Sequence, residues 1–221
     1  MDDKNVTIFL MNNVAFIWDL DGTLLDSYTV IVDSLSQLYL EQGVAINKEK
    51  ILFEIISESV ASFIEKAKKR FGVSFEELKE RYSDISKEKL KTIKPMEGAI
   101  EILSFLKERN IPSFLFTHRG TTTINILKDT GLLPYFTEIV TSLNGFPRKP
   151  SPEGLEYLVN KYELNRKYTY YVGDRALDIE CALNAHIKSI MFIPESSPAK
   201  ATNKENFVIK KLLEIKKIIE K

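Results

Sequence analysis

At 221 residues, 44% of them hydrophobic and 28% charged, the chain can bury a core as one domain, or as a core carrying a small inserted one, and its balance excludes a disordered or fibrous protein. The 31 basic and 31 acidic residues cancel, so no whole-molecule field draws the protein to nucleic acid or to an anionic membrane. The single Cys181 excludes an internal disulfide and a cysteine-based zinc cluster, suits a reducing compartment, and reads as a buried, inert thiol.

The first four residues carry two aspartates and a lysine, and the apolar stretch after them is broken by Asn12 and Asn13. That pattern is neither a signal peptide nor a membrane span, which makes the cytoplasm the expected location. Residues 14–18 (VAFIW) form a short apolar run that stops at Asp19, as a buried strand ending in a turn does. Residues 27–94 follow, with apolar side chains at helical spacing and no convincing strand; Pro95 marks the return. This stretch is expected to be a helical insert that acts as a lid.

Beyond it, strand-like runs at 113–117 (SFLFT), 138–141 (EIVT), 168–172 (YTYYV) and 188–193 (KSIMFI) alternate with helical patterns at 99–109, 122–128 and 153–162. Five strands separated by helices predict a parallel sheet covered on both faces. Residues 207–221 place Val208, Leu212, Ile215 and Ile219 among lysines and read as an amphipathic terminal helix, expected to pack on its own domain, with binding to a membrane or partner as the alternative.

Asp19 and Asp21 stand two apart at the end of the first run, so both carboxylates can face one pocket. Like charges on an apolar scaffold repel, which implies a cation or a division between acid and base; a helix cap or turn is the bland alternative. A second pair, Asp174 and Asp178, follows the strand-like YTYYV. In an open parallel sheet, ligands bind at the carboxyl ends of strands, where both pairs would lie.

DLDGTLLDS at 19–27, Thr117 at a strand end, the RKP that contains Lys149, and GDRALD at 173–178 occur in the order of the four motifs of the haloacid dehalogenase superfamily, which this chain resembles over residues 14–193. The resemblance implies an α/β fold, a Rossmann-like parallel sheet with helices on both faces, with a catalytic core at 1–26 and 95–221. It implies a small all-helical cap at 27–94, as in the branch of phosphoglycolate phosphatases and beta-phosphoglucomutases.

It further implies a magnesium-dependent phosphatase, acting as a monomer or homodimer on a small phosphorylated metabolite, with neither nucleic acid nor membrane as partner. Asp19 would be the nucleophile and Asp21 the acid and base. Thr117, His118 and Lys149 would bind phosphate, and Asp19, the Asp21 carbonyl and Asp174 would hold Mg2+. Asp178 would ligate a metal-bound water, hold Lys149, or merely cap a helix.

His118-Arg119 stands where many relatives carry asparagine and lysine. Arg119 could offer a donor fork to an anionic substrate, and both residues could equally be plain surface. In the insert, Ile55-Ile56-Ser57-Glu58-Ser59 falls where relatives often carry a substrate loop, and Glu58 reads as a solvated helix residue. A mutase with the same acids, or a non-catalytic binding protein on the same fold, are the alternatives; retention of Asp19, Asp21, Lys149 and Asp174 speaks against the second.

Overall fold

A computed structural model describes residues 13–220; the N-terminal stretch read above as neither signal nor span lies outside them. The chain separates into two compact units, Met1–Leu25 with Pro95–Lys221, and Asp26–Lys94. Among the described residues no helix is long and apolar enough to cross a membrane.

The larger unit is built on six parallel strands: β1 (Ala15–Trp18), β2 (Ser113–Phe116), β3 (Glu138–Val140), β4 (Thr169–Gly173), β5 (Lys188–Phe192) and β6 (Phe207–Ile209). Their spatial order is β3-β2-β1-β4-β5-β6. Strand order thus reverses beside β1, and such a switch point opens a crevice at the carboxyl ends of the strands. Trp18 pairs with both Leu115 and Val172, which brings the ends of β1, β2 and β4 level with one another.

Strand β1 is apolar throughout because both of its faces are buried. Ala15 and Ile17 join a core with Phe114, Phe116 and Tyr171, onto which α7 (Glu153–Lys161) packs Leu155, Leu158 and Val159. Helix α8 (Ala176–Asn184) adds Cys181 and Ala182 to the same core. Cys181 is a buried free thiol that burial pushes up to about 12, so it stays protonated. The alternate residue Phe16 stacks on Trp18 and Tyr170, at 5.6 and 5.2 Å between centroids. Helix α5 (Ala99–Glu108), with Ile102, Leu103 and Leu106 buried, packs on β2, and α6 (Thr123–Asp129) follows it.

The C-terminal segment corrects the sequence reading. Residues 207–209 form edge strand β6, paired in register with Ile190, Met191 and Phe192, and only Ile215–Ile219 is α-helical (α9). Val208 is exposed between partly buried Phe207 and buried Ile209, a period of two that the helix-like spacing of Ile209, Leu212 and Ile215 conceals.

The smaller unit holds four helices, α1 (Tyr28–Glu41), α2 (Lys48–Ser57), α3 (Val60–Phe71) and α4 (Phe75–Lys89). Their starts follow from capping chemistry. Asn47 accepts from the Glu49 and Lys50 amides, Ser59 accepts from Ser62, and Ser74 forms a reciprocal box with Glu77. Inside, Leu35, Leu38, Ile51, Ile55, Phe63 and Leu78 are buried, and Tyr39 lies against Phe63 and Phe71. Glu58 is exposed at the end of α2 and pairs with Lys66 at 2.7 Å.

Candidate active site

Every candidate residue named from the motifs lies in the larger unit, on the segments that leave β1, β2 and β4 or on the loop before α7. The Asp19 amide donates to the Val172 carbonyl at 2.8 Å, tying the end of β1 to β4. The chain then turns tightly: the Leu20 carbonyl accepts from Leu24 and Leu25, and Gly22, at φ 85°, donates to the Leu25 carbonyl. That φ is open to glycine and strained for other residues, which is why DxDG reads as it does. The turn places Thr23 so that its hydroxyl donates to Asp174 Oδ1 at 3.2 Å across the crevice.

Lys149 is the centre of the cluster. Its Nζ donates to Asp19 Oδ1 and, at 2.9 Å, to Asp178 Oδ1. The Lys149 and Asp178 side chains are 3% and 1% exposed, so this is a buried ion pair, unlike the solvated pairs of the helical unit. Burial pushes the Asp19 carboxyl up to about 7 against the pull of Lys149, with the Asp178 charge adding to the rise. Burial works to lower the Lys149 ammonium, but Asp178 and Asp19 outweigh it and hold it above its ordinary value.

Asp178 makes two of the contacts its motif left open: it holds Lys149 and also caps a helix. Oδ1 accepts from Lys149 and from the Tyr171 hydroxyl at 3.2 Å, while Oδ2 accepts from the Arg175 amide at 3.1 Å at the start of α8. Gly173 makes room for it, since a Cβ there would fall 2.3 Å from the Asp178 Cβ. Thr23, Tyr171 and Gly173 escape the sequence reading as site residues. The available signals are a polar-tipped aromatic in a central strand and a glycine at its end.

Thr117 is buried directly after β2, and its Oγ1 accepts from the Arg119 amide at 3.1 Å. His118 Nε2 accepts from the Lys149 amide at 2.9 Å. Burial, then the Lys149 charge, push this imidazole down to about 3, so it is neutral with its proton on Nδ1. The ring therefore braces the Lys149 loop through the nitrogen it has as acceptor. The Arg119 fork, read above as open to an anionic substrate, closes on Asp21: Nε reaches Oδ2 at 3.1 Å and Nη2 reaches Oδ1.

Asp19, Asp174 and Asp178 each offer an oxygen within 4.8 Å of the others, and all three are buried. Asp19 and Asp178 share one ammonium, whereas Asp174 accepts from a neutral hydroxyl. Such an oxygen-only, electronegative donor set fits a hard divalent cation.

A family model described as haloacid dehalogenase-like hydrolase matches residues 16–192. The chain belongs to that family. Among its relatives the hydrolase is 27% identical to a protein named pyrophosphatase PpaX from Oceanobacillus iheyensis, over 79% of this chain and 81% of the relative. It is 28% identical to one named phosphoglycolate phosphatase from Agrobacterium fabrum, over 79% and 78%. A crystal structure titled as a predicted phosphoglycolate phosphatase from Haemophilus somnus superposes with a TM-score of 0.80 at 21% identity, covering 92% of this chain and 96% of that one. At that identity the likeness speaks for the fold. In the hydrolase, the matched region spans β1 through β5 and includes every residue of the crevice described above.

Proposed function

We propose that the protein is a magnesium-dependent phosphatase that hydrolyses a small phosphomonoester through an aspartyl phosphate on Asp19. The observation that carries this reading is the buried chain Asp19–Lys149–Asp178 at the switch point of the sheet, with Asp174 beside it and Asp21 two residues from the nucleophile. Relatives named as phosphatases support it.

Asp19, Asp174 and the Asp21 carbonyl would hold Mg2+, which, when bound, neutralises charge on the phosphoryl oxygens facing Asp19. An Asp19 carboxylate oxygen attacks phosphorus as the bond to the alcohol oxygen breaks, and Asp21 hands its proton to the departing alkoxide. Lys149 keeps the nucleophile oriented and offsets charge gathering on the transferring group, while the Thr117 hydroxyl donates to a phosphoryl oxygen. Water then attacks phosphorus, the Asp19–phosphorus bond breaks, Asp21 takes the water's proton, and inorganic phosphate leaves. The helical unit, residues 27–94, serves as the cap that selects the substrate; the cytoplasm is the proposed location.

The test is phosphate release from a panel of phosphomonoesters, phosphoglycolate and hexose phosphates included, with and without magnesium and with Asp19→Asn. Magnesium-dependent release that the variant lacks is the expected outcome. Isomerised sugar phosphate without phosphate release would replace the reading by a mutase, and no turnover of any kind by a binding protein.

A further inference from the structure

Resting on the phosphatase reading, we infer that Arg119 is a positioning residue that holds Asp21 as an oriented proton acceptor for the second half-reaction, the attack of water on the aspartyl phosphate. The arginine is tethered at both ends. Its amide donates to Thr117 Oγ1 at 3.1 Å and its Nη1 to Thr122 Oγ1 at 3.3 Å, at the start of α6. Nε and Nη2 both reach Asp21, one to each oxygen, so each guanidinium nitrogen has a partner within the protein. A substrate anion would have to displace a two-point ion pair to use this fork.

Arg119 is 12% exposed and Asp21 27%, so the better-buried group holds the more exposed one. Asp21 sits on the tight turn after β1, where an untethered side chain would sample several rotamers; a general base must keep its oxygen within hydrogen-bond reach of the attacking water. A guanidinium carries donors only, and the ionised carboxylate acceptors only. The fork therefore matches Asp21 after it has given its proton to the alkoxide. In the next step the oxygen of water bonds to phosphorus, the Asp19 oxygen departs as a carboxylate, and Asp21 takes the proton it will hand to the next leaving group.

The experiment is rapid-quench turnover of p-nitrophenyl phosphate by the full chain with magnesium, comparing wild type, Arg119→Gln, Arg119→Lys, Asp21→Asn and the double variant Arg119→Gln/Asp21→Asn. This leaving group departs without a proton, so the first half-reaction is insensitive to Asp21 and the second is not. In Arg119→Gln we expect a burst of p-nitrophenol equal to the enzyme concentration and acid-stable phosphoenzyme. We expect kcat to be lower by ~10²-fold, the range of a positioned acid or base, with kcat/KM nearly unchanged. Asp21→Asn should behave alike and the double variant no worse, while Arg119→Lys, which keeps a charge but not the fork, falls between.

A loss of kcat/KM as large as that of kcat, with no phosphoenzyme, would overturn the inference and make Arg119 a substrate-binding or purely structural residue. Wild type that releases phosphate neither from p-nitrophenyl phosphate nor from any member of the phosphomonoester panel would overturn the phosphatase reading itself.

Discussion

Replacing Lys149 by methionine keeps an unbranched apolar stem one atom shorter and deletes the charge that two buried carboxylates share. Asp19 and Asp178 then face each other inside the core without the ammonium that bonded to both. Removing one partner of a buried pair costs about 3–5 kcal/mol. For a chain of this size each kcal/mol moves the melting temperature by roughly 2–4 °C, so the variant should melt about 6–20 °C lower.

The deficit should depend on pH. Asp19 sits at about 7 when folded against 3.8 in its ordinary state, so the folded chain binds this proton more tightly than the unfolded one. Its contribution to stability is complete below about pH 4 and is eroded as pH rises towards 7. In Lys149→Met the restraining charge is gone, the carboxyl moves further up, and the erosion extends to higher pH. Melting followed by circular dichroism, in a chelator and at about pH 5.5 and 8, should show the larger deficit at the higher pH. Lys149→Met/Asp178→Asn should recover part of the stability but no turnover. Equal melting temperatures at pH 8, or a deficit indifferent to pH, would refute the electrostatic account of the cluster.

Magnesium at about 100 times its dissociation constant should stabilise the wild-type protein by about 2.7 kcal/mol, read as a rise in melting temperature that Asp174→Asn abolishes. Gly173→Ala should displace Asp178, because the added carbon falls 2.3 Å from its Cβ and 2.5 Å from its carboxyl carbon. Overpacking of that kind costs roughly 1–3 kcal/mol, and turnover measured on the folded fraction should fall further than stability does. His118→Asn should keep turnover, since a carboxamide oxygen can accept from the Lys149 amide. His118→Leu should lose about 1–3 kcal/mol by leaving that amide without an acceptor. Because the imidazole sits at about 3, neither variant should shift the pH–rate profile between about pH 5 and 8.

The parallel sheet was legible because its central strands are short, apolar on both faces and followed at once by acids, as VAFIW-D and YTYYV-GD show. Edge strand β6 was not: three residues with one exposed side chain carry too little alternation to compete with a helical spacing that runs on into Ile215. The acids of the site could be picked out because carboxylates at strand ends violate the apolar pattern around them. Thr23, Tyr171 and Gly173 violate nothing, and their roles exist only in relation to Asp174 and Asp178.

Linear order is enough to propose a chemistry, since residue type and spacing limit which groups could act as nucleophile, acid, metal ligand or cation. Packing decided the partners. Lys149 lies 130 residues from Asp19 and Arg119 lies 98 from Asp21, and no local rule brings either pair together. The parallel register that levels β1, β2 and β4 does so, and the burial that follows turns a solvated lysine into the charge that holds the site together.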